Sequence, residues 1–390
     1  MPDHPMKTSR LLVRLDAQIE VARTPIEADC KRAERACYLA RTGRIADAQA
    51  VVADLHQRYG LRPHIEVSVW VHLAEGLIGH FSDMNHSARE KILRSYSLSA
   101  AGGLTAMQAL SAAWLAHMDY LRQNVSSAKQ YVVEALNLSG RDDHAALARA
   151  SLVVAQAMHF AGRIEPARAW YVHARGHAAS EGDEMTVSAL MHNMAWLRAF
   201  DLRKGVLGGH LASDDSRHAL PNAESISQFD SLIGSYSLGS LVPILTAQIL
   251  TTSGRYGEAL KLYESNFDAS LLEGMGRLHA DLLADRAWCR LKVGLVDDAR
   301  RDAIEARDSL DSSGLCDDRA LAHGRLALLF TELGEQDYAE FHSGRARESW
   351  AEFEAVQDLL WASFGNIVHP QHVAPEYLHG ANEKAPRGAL

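Results

Sequence analysis

What is scarce in this sequence removes several classes of protein before any pattern is read. No stretch sustains the apolar–polar alternation of a half-buried strand, which leaves helix as the main element. Lysine and arginine form no stripe and the formal net charge is −9, so duplex nucleic acid and anionic membranes are poor partners. Residues Met1 to Thr8 are charged and polar with no apolar run, so neither a secretory signal nor a spanning helix is expected. The four cysteines, Cys30, Cys37, Cys289 and Cys316, fit no zinc or redox spacing and read as buried thiols of a reducing, cytoplasmic compartment. No G-x-x-x-x-G-K-[ST], G-x-G-x-x-G after a strand, H-E-x-x-H or G-x-S-x-G occurs. The expectation is therefore no enzyme and no cofactor.

What is present is a small pattern that returns about every forty residues. An apolar helix with Ala is followed by a Gly-centred turn and a second helix with another Ala. The clearest copy is Ala155, then Ala161-Gly162-Arg163-Ile164, then Ala167, Tyr171 and Ala174. The Ala of the second helix recurs at 48, 88, 128 and 167, and again at 259, 299 and 339, in steps of 39 or 40 residues. Each unit reads as a helical hairpin. Small residues face one another where two helices approach: Ala36 and Ala48, Ala116 and Ala128, Ala155 and Ala167, Ala247 and Ala259, Ala287 and Ala299, Ala327 and Ala339. Gly43, Gly162, Gly254, Gly294 and Gly334 stand where a helix can end in a left-handed residue.

This pattern of small residue, Gly, apolar or aromatic residue and Ala resembles the tetratricopeptide repeat family. It covers roughly residues 26–350. The family repeat is about 34 residues, and the longer spacing here resembles the repeats of bacterial peptide-sensing and signal-transduction regulators. The resemblance implies an all-α right-handed α-solenoid of about eight helix-turn-helix repeats with capping helices. The expected boundaries are an N-terminal capping helix in 1–25, repeats in 26–203, and an irregular Gly-rich and polar break in 204–226. Further repeats and a capping helix follow in 227–364, then a disordered tail in 365–390. The break, with Gly205, Gly208 and Gly209, reads as a tolerated insertion, with a hinge or a loop over the groove as the sharper option. Trp350–Phe364 reads as a terminal helix over the last repeat.

In that family the first helix of each hairpin lines the concave face. Carried over residue by residue, the groove would present His80, Ala113, His117, Tyr120, Gln156, His159, His192, Asn193, Trp196, Gln248, Thr251 and Trp288, of which all but Ala113, Thr251 and Trp288 are the expected binding residues. Aromatic and amide groups of this kind suit a peptide, because they hydrogen-bond its backbone and stack on its side chains. Family members that clamp a terminal carboxylate with Lys, Asn and Arg are not matched: Ala33, Cys37, Ala113 and His117 occupy those positions. The favoured function is a non-enzymatic scaffold or adaptor that binds a protein or peptide in its groove. The alternative is a sensor that changes curvature around a signalling peptide and acts through a partner protein. Only about 25 residues precede the first repeat, too few for a helix-turn-helix domain, so direct nucleic-acid binding is not expected. A homodimer through exposed Trp or Leu at the caps is compatible with all of this.

Other constellations carry less. His173 and His177, four apart, could offer two ligands to a metal, but no third is visible and the pair reads as a solvated helix face. His369, His372 and His379 lie in the expected tail, where metal binding is not expected. Ser126-Ser127-Ala128-Lys129 fits S-x-x-K but lies on a helix back. Asp297, Asp298, Asp302, Glu305, Asp308 and Asp311, interleaved with Arg300, Arg301 and Arg307, read as a convex, solvated face of mixed ion pairs.

Overall fold

The computed structural model describes residues 9–83, 87–209, 216–235, 239–310 and 314–369. Among them the chain forms seventeen α-helices and no strand. A lone helix, α1 (Arg10–Glu20), precedes eight hairpins. The first four are α2 (Pro25–Arg41) with α3 (Ile45–Tyr59), α4 (Ile65–Asp83) with α5 (Ala88–Ala101), α6 (Thr105–Leu121) with α7 (Val125–Leu138), and α8 (His144–Phe160) with α9 (Ile164–Glu181). The fifth is α10 (Glu184–Leu207) with α11 (Ser216–Ile233). The last three are α12 (Leu241–Thr252) with α13 (Tyr256–Leu272), α14 (His279–Lys292) with α15 (Val296–Ser309), and α16 (Cys316–Glu332) with α17 (Gln336–Phe364). A 3-10 turn at Met275–Leu278 leads into α14. The chain is an all-α solenoid of the expected kind. No helix among the described residues is long and apolar enough to cross a membrane.

The turns explain the repeat. At the end of α8, Gly162 takes φ +73°; its N–H donates to the His159 carbonyl and the Arg163 N–H to the Met158 carbonyl, both at 2.8 Å. These two bonds satisfy carbonyls that the helix end would leave open, and only a residue at ease with positive φ can make them. Gly43, Gly254, Gly294 and Gly334 have φ between 75° and 89° in the same arrangement. In the third hairpin Gln123 takes the position at φ +55°, and its side-chain amide donates to Asp317 across the coil at 3.1 Å. The facing alanines are all buried. The second hairpin uses Gly76 opposite Ala88, where an added Cβ would meet Ile92 Cγ1 at 2.4 Å and the Ala88 carbonyl oxygen at 2.9 Å. In the irregular fifth hairpin Ala223 is the fully buried small residue of α11.

The break differs in extent from the expected 204–226. Helix α10 runs on through Gly205 to Leu207, and α11 already begins at Ser216. One glycine costs a helix only about 1 kcal/mol, and Leu207 packs over Gly324 of α16. The 210–215 link, on which the hinge or loop reading rested, lies outside the described residues, as does Asp311 of the acidic series.

The coil is tight enough to close on itself. Arg41, at the end of α2, forms a two-pronged ion pair with Asp183 at the start of α10, at 2.8 and 3.0 Å. Arg10 of α1 pairs with Glu184 at 2.8 Å. Farther along, Arg203 of α10 pairs with Asp281 and Asp285 of α14 at 2.5 and 2.9 Å, and Arg325 of α16 with Asp285 at 2.7 Å; all four are buried.

The end of the chain corrects one expectation. Trp350–Phe364 is not a separate helix over the last repeat. No proline interrupts residues 336–364, and α17 continues unbroken for 29 residues. Its second half leaves α16 and packs on α7 and α8, burying Leu360 and Phe364 in the core of the third and fourth hairpins. Phe353 meets Phe160 and Phe200, with ring centroids 5.0 and 5.4 Å apart. Gln357 donates to the Phe160 carbonyl at 2.7 Å.

Two paired substitutions test this packing by denaturant unfolding. Gly76→Ala lowers stability by about 1–3 kcal/mol, because overpacking outweighs the better helix propensity of Ala. Gly205→Ala, with nothing within 4 Å of the added Cβ, raises it by roughly 0.5–1 kcal/mol. Equal effects at the two sites would refute close approach at Gly76. Leu360→Ala costs about 2–5 kcal/mol, whereas its exposed neighbour Leu359→Ala stays within about 0.5 kcal/mol; a mild Leu360 variant would mean that the terminal helix does not seat on α7 and α8.

Candidate functional site

The first helices of the hairpins turn their ends to the coil axis, and there they enclose a cavity of about 230 Å³. Arg41 comes from α2, His80 and Phe81 from α4, His117 and Leu121 from α6, and Arg149 from α8. Helix α10 contributes Met185, Ser188, His192, Asn193 and Trp196 along successive turns of one face. The 3-10 turn closes the wall with Met275, Arg277 and Leu278. A second cavity of about 120 Å³ adjoins it through Asn193, Trp196, Leu121 and Arg277, and is lined further by Tyr120, Gln156, Asp317 and Leu360.

Seven of the nine expected groove residues thus meet at two adjoining cavities: His80, His117, Tyr120, Gln156, His192, Asn193 and Trp196. Two do not. His159 faces a different groove, between α9 and α10, where its Nδ1 lies 3.2 Å from the Tyr171 hydroxyl. Gln248 is buried on α12 and lines neither cavity. Among the neighbouring positions Ala113 is core. Thr251 bonds the Ala247 carbonyl and lies 3.2 Å from Cys289 Sγ. Trp288 stacks under Arg325 and Lys292.

The cavity walls are charged in an uneven way. Asp183 caps α10, accepting from the Thr186 N–H at 3.0 Å and the Thr186 hydroxyl at 2.7 Å as well as from Arg41. Burial opposes its charge, but Arg41 and then these bonds hold its carboxyl below the ordinary value. Arg277 pairs with Asp318, and burial pushes the Asp318 carboxyl up to about 8. His192 Nε2 sits 2.7 Å from Asp230. Arg149 has no such partner. Its guanidinium lies over the Trp114 ring, 3.9 Å from the centroid. Burial, and then Arg41, pull its pKa down to about 9, which leaves it charged at neutral pH. The arginines Arg41, Arg149 and Arg277 were missed by a reading that looked for aromatic and amide groups on first helices. Two of them lie on first helices too, but nothing in a single sequence separates an inward guanidinium from a solvated one.

Two of the imidazoles, His80 and His117, are held neutral. Burial, then Arg149 and Arg122, push His80 down to about 4. Burial, then Arg149, His80 and Arg41, push His117 well below its ordinary value. Buried polar atoms without a partner among the described residues cluster here: His117 Nδ1, Arg149 Nε, Gln156 Oε1 and His192 Nδ1. Such atoms cost free energy in an empty site and are donors and acceptors for whatever enters it.

The histidine pair on α9 is also placed differently than expected. His177 is buried and His173 half-buried, because the chain beyond α17 folds back and stacks His369 on His173 with centroids 3.8 Å apart. His144 Nδ1 lies 3.1 Å from His177 Nδ1. Among the described residues no group of three or more His, Cys, Asp or Glu is arranged to hold a metal ion; His372 and His379 lie outside them. Asp302 departs from the expected solvated face, being buried between Arg286 and Arg290. Ser126 and Lys129 are exposed on the helix back. Cys37, Cys289 and Cys316 are buried and Cys30 half-buried, none in a disulfide. Burial pushes Cys30 and Cys289 up to about 12 and Cys316 to about 11, which disfavours thiolate chemistry.

No protein-family model matches the chain, and no match was found among curated proteins. Among solved structures the fold is shared with a Rap protein complexed with competence and sporulation factor. The TM-score is 0.52 at 13% identity, covering 88% of this chain and 92% of that one. At that identity the likeness shows the fold alone.

The buried imidazoles set a pH dependence. Unfolded, they take up protons below about pH 6.5; folded, His80, His323 and His342 do so only near 4 and His177 near 3, in each case chiefly because of burial. Below about 6.5 the unfolded chain therefore binds more protons, and stability present at neutral pH is lost as pH falls toward about 4. Calorimetry should show the unfolding midpoint falling between about pH 7 and 5 with net proton uptake. A flat midpoint across that window would show that these rings are already charged in the folded chain.

Proposed function

We propose that this chain is a non-enzymatic receptor that takes a short peptide, or the end of a protein segment, into the axial cavity. The observation that carries this reading is the convergence of side chains from six helices and the 3-10 turn on one cavity with unpartnered polar atoms in its walls. Apolar lining with a few convergent polar groups is the usual composition of a ligand site. The Rap protein that shares the fold was solved with competence and sporulation factor; the same kind of ligand is the proposal for this chain.

The sensor form of this reading is favoured over a static adaptor. The cavity is bounded on one side by α2 to α8 and on the other by the 3-10 turn, and the second half of α17 covers the third and fourth hairpins. A ligand in this space touches both halves of the coil at once. Ligand would then be coupled to curvature, with the output read by a partner protein.

The test is retention of peptides from a random short-peptide library, read by mass spectrometry after gel filtration. Wild-type protein should retain a defined subset. Trp196→Ala should weaken those peptides by about 1–2 kcal/mol, roughly five- to thirtyfold, and solution scattering should show a changed radius of gyration with ligand. Retention of the same peptides by Trp196→Ala at unchanged affinity would remove the cavity from the reading, and an unchanged radius would remove the sensor form.

A further inference from the structure

We propose that Arg149 is the receptor for a carboxylate group on the ligand of the axial cavity, a contact that rests on the peptide-receptor reading above. Two guanidiniums, Arg41 and Arg149, share the Trp114 ring, at 5.8 and 3.9 Å from its centroid. One carboxylate, Asp183, serves them. Arg41 takes both of its oxygens, and Thr186 takes both again through its N–H and hydroxyl. Nothing is left for Arg149. It is only 4% exposed, lines the cavity, and makes no hydrogen bond or ion pair among the described residues; its Nε is buried without an acceptor.

A buried cation without an anion is costly, and folded proteins tolerate it where a ligand completes the pair. Stacking on Trp114 occupies one face of the guanidinium and leaves its N–H edge, a fork whose spacing matches the two oxygens of a carboxylate. One uncompensated positive charge among Phe81, Leu121 and Met185 suits a monoanion on an apolar group better than a dianion such as phosphate. Two sources fit this chemistry: the free end of a peptide chain, or an acidic side chain.

The probes are N-acetylphenylalanine, its amide, and N-acetylaspartic acid α-amide, titrated into the full chain by calorimetry. N-acetylphenylalanine should bind about tenfold tighter than its amide. Arg149→Gln should erase that ratio without lowering the melting temperature of the ligand-free protein, since it removes an unpaired charge. Arg149→Lys, which keeps the charge but not the fork, should retain part of the ratio and carries the comparison if the Gln variant does not fold. Tighter binding of the aspartate probe would assign the carboxylate to an acidic side chain, and tighter binding of N-acetylphenylalanine to a chain end. Equal binding of acid and amide, failure of both acids to bind, or an acid preference that survives Arg149→Gln overturns the proposal. The library experiment separates the two readings: peptides retained with no preference for a carboxylate leave the receptor standing and remove this contact, and no retention at all removes both.

Discussion

The structure turns on the Asp183 carboxylate. It caps α10, so the longest inner helix of the middle of the coil starts where Asp183 places it. It also receives Arg41 from the first hairpin, so the first and fifth hairpins are locked at one distance. With two buried groups already bonded to each of its oxygens, it cannot serve a third. The same four bonds that close the coil therefore leave the Arg149 charge unmatched. Geometry and electrostatics of the cavity have one origin.

Closure changes what a helical-repeat chain can offer a ligand. An open solenoid presents a long concave strip, and affinity accumulates from many shallow contacts. Here the buried set Arg203, Asp281, Asp285 and Arg325 joins the fifth, seventh and eighth hairpins, and Leu360 and Phe364 seal the third and fourth. Between them lies a small interior volume walled by the ends of α2, α4 and α6 and by one face of α10. Removing one partner of a buried ion pair is far more costly than the pair is stabilising, so these contacts specify the closed register more than they add to stability.

The hairpins were legible because their cause is local. Gly162 must accept positive φ, and Ala155 and Ala167 must let two backbones approach; both demands act within a dozen residues, the first met by glycine in five hairpins and the second by an alanine pair in six. Gly76 obeys the same rule and escaped notice only because it is smaller than the Ala expected there. Seven of nine inner positions were legible for the same reason, since the first helix of each hairpin faces inward whatever its neighbours are. The closure was not. That Gln123 would reach Asp317, or that α17 would run past its own hairpin to α8, depends on pitch summed over four or five units, and small errors per repeat accumulate beyond any local pattern. His159 and Gln248 differ for a local reason: His159 turns toward Tyr171 on the second helix of its own hairpin, and Gln248 is buried on α12.

Arg149 shows how such a site can be found at all. In the sequence it is one of many arginines on a helix, and its neighbours Ala148 and Ala150 mark nothing unusual. Only the folded chain reveals that it is buried, stacked and unpaired. The cost of that state is only partly offset locally: Trp114 contributes a cation–π contact of about 2 kcal/mol, while an uncompensated buried charge costs several. His80 and His117, kept neutral beside it, could have been carboxylates had pairing been the only demand on these positions. A fold that bonds Arg41, Arg203 and Arg325 to buried carboxylates across its layers and leaves Arg149 facing a cavity has placed an unmet buried charge where a ligand can meet it.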